Sequence, residues 1–256
     1  MRRRLPPEPV STAAVWSLRL GLFSLTVVAL AVALARAHKV DPPAALATIG
    51  GAIAIALAAL LLFGAACAVI WRSGAQGFGS ALGGLLFALL TLGYPAFLAV
   101  EAIRFPVLAD VSTDLDDPPD FSRTSAALKA RGGYTPASPP AATRAAQAAA
   151  YPAVQPIVVD LDMDEALAAV MKTAATRGWR IVDQRPSNAR SGDAHVDFLL
   201  KTQVLGFDED ATVRLRPLAG QTRIDLRAAS RYGRHDFGAN ASRIEDFAEG
   251  LQAQVE

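Results

Sequence analysis

Residues 44–71 read AALATIGGAIAIALAALLLFGAACAVIW, a run without a single charged side chain. A helix needs about 20 apolar residues to cross a hydrocarbon core roughly 30 Å thick, and this run exceeds that length. Two similar runs flank it. Residues 15–35 are interrupted only by Arg19, and residues 78–100 carry no charge. Arg19 at a bilayer centre would cost about 2.5–3.5 kcal/mol or more. Near the start of its span it instead reaches the headgroups along its aliphatic stem. Three transmembrane helices are therefore expected.

Outward from these runs the composition changes. The 256-residue chain is 52% hydrophobic and 19% charged, with a net charge of +1 and a mean hydropathy of +0.28. That average hides two different parts. Residues 1–106 hold eight basic and three acidic side chains, whereas residues 107–256 hold seventeen basic and twenty-one acidic ones. The first part is suited to lipid and the second to water. A disordered chain is excluded, because such chains are polar and charge-rich. The single Cys67 excludes a disulfide scaffold. The absence of a basic surplus argues against a nucleic-acid partner.

Loop charges give an orientation. Arg2, Arg3, Arg4, Arg19 and Arg72 would share one side of the membrane, and Arg36, Lys39 and Arg104 the other. The larger group belongs in the cytoplasm. Three crossings then carry the C-terminal domain to the opposite side. The reading is of a bacterial inner (plasma) membrane protein, multi-pass, with a cytoplasmic N-terminus and a periplasmic C-terminal domain. Ala35-Arg36-Ala37 resembles a signal-cleavage pattern after a basic start, but the apolar run is long for a cleaved signal and favours an anchor.

Small residues line the helices. Gly79 and Gly83 form a GxxxG pair, and Gly50, Ala54 and Ala58 a small stripe. Such residues let helix backbones approach closely. Packing among the three helices is favoured; an oligomer interface through Gly79 and Gly83 is the other reading. No span carries a central acid or His, which argues against a transport pathway.

The expected domains are a three-helix transmembrane part over 1–106, an extended Pro/Ala-rich linker or strap over 107–156, and an α+β soluble domain over 157–256. Residues 110–120, DVSTDLDDPPD, end in a Pro-Pro that must be extended or turned. Residues 141–150 suit one helix. From Ile157 the pattern sharpens. Residues 157–159 read as a strand, and Asp162 with Glu165 as a capping box. Leu167, Val170, Met171 and Ala174 follow at helical spacing up to Gly178. Trp179, Ile181 and Asp183 then alternate as a strand. Val196, Phe198 and Leu200 line one face of the next, Val213 and Leu215 a third, and Ile224, Leu226 and Ala228 a fourth. Ala219-Gly220 turns the last two into a hairpin. Ile244, Phe247, Leu251 and Val255 stripe a final helix. The fold class is a three-helix membrane anchor plus an α+β domain, an antiparallel sheet with helices packed on one face.

Alternation puts Arg214, Arg216, Asp225 and Arg227 on the sheet face opposite Val213 and Leu226, with Arg214 across from Asp225. One reading is a set of cross-strand ion pairs on a solvated face. The other is an arginine-lined site for an anion or carboxylate, extended by Arg231, Arg234 and Arg243. The acids Asp208, Glu209 and Asp210 lack the spacing of a calcium loop, and Asp160, Asp162 and Asp164 are better explained by helix capping. His195 and His235 have no Cys nearby for zinc and no nucleophile motif. No metal and no cofactor are expected, and no catalytic residue is identified.

Several stretches together resemble the Domain of Unknown Function 1499 family. They are DVSTDLDDPP at 110–119, AYP at 150–152, GFDED at 206–210, and DLRAASRYGRHDFGAN at 225–240 with Arg243 and Ile244. The resemblance spans about 110 to 250. It departs from the family at Asp193-Ala194-His195, where an acid-Ala pair is common, and at Arg227-Ala228, where Arg-Ser is. It implies an envelope or plastid setting and no established activity. It singles out Asp208, Asp210, Arg214, Asp225, Arg227, Ser230, Arg231, Asp236, Asn240 and Arg243.

Two functions are open at this point. The favoured one is a non-catalytic binding or scaffold role in the cell envelope. Its partners would be the lipid bilayer and, through the Arg/Asp motif, an envelope protein or an anionic small ligand. The alternative is a periplasmic hydrolase-like enzyme using Asp208, Asp210 or Asp236 with His235. It requires those groups to converge in a cleft.

Overall fold

The structure, a computed structural model, describes residues 9–187 and 192–255. Arg2, Arg3 and Arg4, which weigh in the charge asymmetry, lie outside the described residues. The chain divides into two units, one holding the membrane helices with residues 204–207, the other holding 101–203 and 208–256.

In the first unit α1 spans Thr12–Arg36, α2 Pro42–Ser73 and α3 Phe78–Arg104. All three are long and apolar enough to cross a membrane. The chain is a multi-pass membrane protein. Ser11 caps α1 through Ala14 N–H at 3.4 Å, and Asp41 caps α2 through Ala44 N–H at 3.3 Å. Each cap satisfies an amide that a helix start otherwise leaves without an intrahelical partner. Leu22, Phe23, Leu61 and Leu86 point outward, as lipid-facing side chains do.

The helices meet over small residues, Gly83 among them, but mostly at positions the spacing did not single out. Gly21 of α1 lies against Gly84 of α3 so closely that a Cβ on Gly21 would stand 2.6 Å from the Gly84 carbonyl oxygen. Ser17 donates to the Ala59 carbonyl at 3.0 Å, and Ser24 and Thr91 share a hydrogen bond at 3.2 Å. Of the GxxxG pair, Gly83 abuts Leu18 of its own chain while Gly79 faces open space. On α2 the buried alanines are Ala45, Ala52, Ala56, Ala59 and Ala66, and a Cβ on Gly50 would meet nothing within 4 Å. Small residues ring this helix on all sides, so composition alone does not select the packed face.

The second unit is an α+β domain built on a six-stranded antiparallel sheet. Its strands are β1 Asp110–Ser112, β2 Ile157–Val159, β3 Arg180–Arg185, β4 Ala194–Lys201, β5 Asp208–Leu218 and β6 Gln221–Ser230. Their order is β1-β6-β5-β4-β3, and β2 also pairs with β6. Thus β1 and β2 share one edge of β6, at Arg227–Ala229 and Thr222–Ile224. The helices are α4 Ser125–Ala130, α5 Ala141–Ala150, α6 Met163–Thr176 and α7 Ala239–Val255. Asp162 accepts from Asp164 and Glu165 N–H at 3.0 and 2.9 Å and so starts α6. The hairpin turns at Ala219-Gly220, with Gly220 at φ 79°, and Arg214 stands opposite Asp225.

One face of the sheet carries the apolar core. Phe198, Val213, Leu215, Ile224 and Leu226 pack against Val170 of α6 and Ile244, Phe247 and Leu251 of α7. Trp179 stacks on Phe247 at 5.0 Å and meets Phe198 edge-on at 5.7 Å.

The structure departs from the sequence reading at two places. The segment 107–156, read as a linker or strap with one helix over 141–150, forms that helix as α5 and also supplies β1 and α4. Its lack of periodicity hid this, because β1 is only three residues long and its partners lie far along the chain. Gln147 of α5 completes the strand edge: its side-chain amide donates to Ser112 C=O at 2.6 Å and accepts from Ser112 N–H at 3.1 Å. The second departure is in β3. A bulge falls between Ile181 and Asp183, which pair with Phe198 and Asp197. One extra residue turns Asp183 onto the face opposite Ile181.

Candidate functional site

The other face of the sheet is polar and, unexpectedly, also buried. Asp197, Thr212, Asp225 and Arg227 are each 0% exposed. The segment 113–140 crosses this face and covers it. Buried charges are tolerated only when paired and hydrogen-bonded, and every group here has such partners.

Around Asp225 three acids meet three arginines. Arg216 reaches Asp225 at 2.6 Å, Arg223 Nε at 2.8 Å and Arg214 at 3.2 Å. From the covering segment, Asp114 takes Arg216 and Arg223, each at 2.7 Å, and Asp117 takes Arg214 at 2.9 Å. Burial alone would raise the Asp114 carboxyl. The Asp117 backbone N–H and the Arg216 and Arg223 guanidinium groups together hold it below the usual carboxylate range.

Next along the face lie Arg227 and Arg131. Arg227 binds Asp110 through two nitrogens at 2.9 and 2.7 Å and donates to the Pro119 and Ala137 carbonyls. Arg131, at the end of α4, pairs with Asp197 and Asp210 and donates to Ser122 C=O at 2.7 Å. The Phe121 ring lies between these two cations, 5.1 Å from Arg131 and 5.0 Å from Arg227. An aromatic face attracts a cation, so one ring steadies two like charges. Asp210 also receives a two-nitrogen clasp from Arg231, 2.7 Å at each bond.

A third cluster ties β5 and β6 to α7. Glu209 pairs with Arg243 and accepts from Ser230 at 2.8 Å. Asn240 donates to Ala109 C=O and Ser230 Oγ, each at 3.1 Å, and accepts from Arg243 at 2.9 Å. Asp236 accepts from Gly238 and Asn240 N–H, both at 3.0 Å, and so starts α7. Burial raises its carboxyl in spite of those bonds. Burial, with Asp236 and Glu245 nearby, pushes the Tyr151 hydroxyl up to about 12.

The ten motif residues therefore do not converge on one pocket. Asp208 faces Lys201 at 3.2 Å and Arg231 at 3.9 Å. Asp210, Arg214, Asp225, Arg227 and Arg231 belong to the ion-pair face; Ser230, Asp236, Asn240 and Arg243 belong to the tie to α7. The solvated face expected from alternation is a covered one, because the segment 113–140 lies across it. The grouping required of the hydrolase alternative does not form either. Asp208 and Asp210 are held by Arg231, Asp236 caps a helix, and His235 stacks on Phe237 at 4.6 Å with Nδ1 accepting Phe237 N–H.

A cavity of about 630 Å³ opens beside this network. The covering segment supplies Asp117, Asp120, Ser122 and Arg123 to its wall, β3 supplies Asp183 and Arg185, and Asp193, His195 and Arg214 also line it. Arg214 is the one motif residue that lines it. His195 is 6% exposed; its Nε2 lies 2.9 Å from Asp197 and 3.1 Å from Thr212. Burial would raise Asp197, but His195, Arg131 and Thr212 outweigh it and hold the carboxyl low. Ser122 donates to Asp183 at 2.5 Å.

Sequence reading weighed His195 only as a zinc ligand or catalytic group and did not connect it with Asp197, Asp183 or Arg131. The first two had a signal: His195 and Asp197 alternate with Val196 and Phe198, so they share the polar face with Thr212. Asp183 was hidden by the bulge. Arg131 stands in an Ala- and Gly-rich stretch with no period to mark it.

Fold and site together define a multi-pass membrane protein whose α+β domain buries an ion-pair network under a chain segment and leaves a polar cavity beside it. A family model described as "Protein of unknown function (DUF1499)" matches residues 110–251, from β1 into α7, and the chain belongs to that family. No curated protein matches the chain.

Proposed function

We propose that this chain is a non-catalytic binding module of the bacterial cell envelope. It is held in the inner membrane with its N-terminus in the cytoplasm and its α+β domain in the periplasm. The carrying observation is the 630 Å³ cavity with His195 fixed by Asp197 and Thr212. Its volume falls within the range of small-molecule sites, roughly 300–1,000 Å³. The ligand is a small charged solute. The Arg/Asp motif is the frame that positions the cavity wall rather than the binding surface, because its charges already engage one another. The excess of arginine on the N-terminal side supports the orientation.

Binding of charged solutes to the full chain in maltoside detergent tests the function. Saturable binding with the solute recovered unchanged is the expected result; turnover, or no binding by any solute, overturns it. C-terminal fusions test the topology. Alkaline phosphatase should be active there and green fluorescent protein dark, and the reverse pattern overturns the orientation.

A further inference from the structure

On the polar face, opposite charges pair wherever they meet. The cavity wall breaks that rule. Arg123 and Arg185, and likewise Asp120 and Asp183, line the same cavity, yet none of the four forms an ion pair among the described residues. Asp183 accepts the Ser122 hydroxyl and, among the described residues, has no cation partner. Arg185 and Asp183 are fixed on β3, and Arg123 and Asp120 belong to the segment pinned by Arg131 and Arg227.

We infer that this cavity receives a small zwitterion, a molecule carrying an ammonium group and a carboxylate or phosphate. The inference rests on the binding reading above and names the ligand class. Two open cations and two open anions complement a dipolar guest; a simple anion would leave the carboxylates facing it, and a simple cation would leave the guanidinium groups facing it. Guanidinium groups suit a planar oxyanion, and carboxylates accept from an ammonium. Ser122, beside Asp183, and His195 add polar groups to the same wall. A free amino acid or short peptide and an ethanolamine phosphate headgroup share this chemistry.

Isothermal titration of the full chain in maltoside detergent tests it. The probes are alanyl-alanine, phosphoethanolamine, succinate and putrescine. At least one of the first two should bind at least about tenfold tighter than succinate and putrescine, the scale of one charged hydrogen bond. Whichever of the two binds tighter identifies the source as peptide or headgroup. Arg185→Gln and Asp120→Asn, both at exposed side chains, should each weaken that binding about tenfold at unchanged Tm. If succinate or putrescine binds as tightly, or if both variants bind like the wild type, the zwitterion is overturned while the binding reading stands. If none of the probes binds, both are overturned.

Discussion

The two faces of the sheet are made by the same strands and both are covered, but by opposite means. On one, Phe198, Val213 and Leu226 exclude water by packing under α6 and α7. On the other, Asp197, Asp225 and Arg227 exclude it by pairing under the segment 113–140. Apolar packing is forgiving about partners, since a methyl group accepts any close neighbour. Ion pairing is not, because a charge left alone in the interior is far costlier than a void. The difference teaches where the domain should be most specific to its own sequence: on the polar face.

The largest effects should come from single removals on either face. Arg227→Ala leaves Asp110 unpaired and two carbonyls without a donor, and should cost about 3–5 kcal/mol. Phe247→Ala should cost about as much, roughly 3–5 kcal/mol, by opening a cavity. Urea unfolding of the full chain in detergent reads both. Rescue separates them. Adding Asp110→Leu to Arg227→Met should recover most of the loss, since replacing both charges with apolar groups is often neutral. If the double variant is as unstable as Arg227→Ala, the polar face does not work by mutual compensation.

A smaller effect concerns pH. Asp114 and Asp197 have native pKa values below the ordinary 3.8. Between the native and unfolded values the unfolded chain binds more protons. Their stabilisation is therefore complete above the unfolded pKa and is lost as pH falls through the native one. Asp236, raised by burial, runs the other way, and its contribution fades as pH rises through its native pKa. Asp114→Asn should flatten the acid limb of stability against pH. An unchanged limb would falsify the assignment of that slope to the polar face. Next in size, Asp162→Ala removes the α6 cap on the apolar side and should cost about 1 kcal/mol. Smallest, Asp117→Asn, whose carboxylate is 68% exposed, should change stability by under about 1 kcal/mol. A larger loss there would show that the covering segment is held mainly at its rim.

What the sequence shows follows from period. The membrane helices stand out as long apolar runs almost free of charge; α6, α7, β4, β5 and β6 repeat at 3.6 or 2 residues over enough length to be read, and the Arg214–Asp225 register follows from one turn. What it hides is long-range. Residues 113–140 have no period because their role is to supply single groups, such as Asp114 and Arg131, to strands some 66 to 109 positions later. Alternation identified which residues share the second face but not that another segment would cover it. The cavity was hidden for the same reason, since its wall joins that segment to β3 across a bulge.

The pairing of β1 with β6 has a consequence for synthesis. Asp110 and Asp114 leave the ribosome long before Arg216, Arg223 and Arg227, with 102 to 117 residues separating the partners. Contacts this distant in sequence slow folding. A nascent chain halted before Gln221 lacks the strand that β1 and β2 pair with, and lacks Arg223 and Arg227, which Asp114 and Asp110 require. The domain thus has no self-sufficient N-terminal fragment, and an incomplete chain is exposed to proteases and chaperones until its last strand and helix arrive.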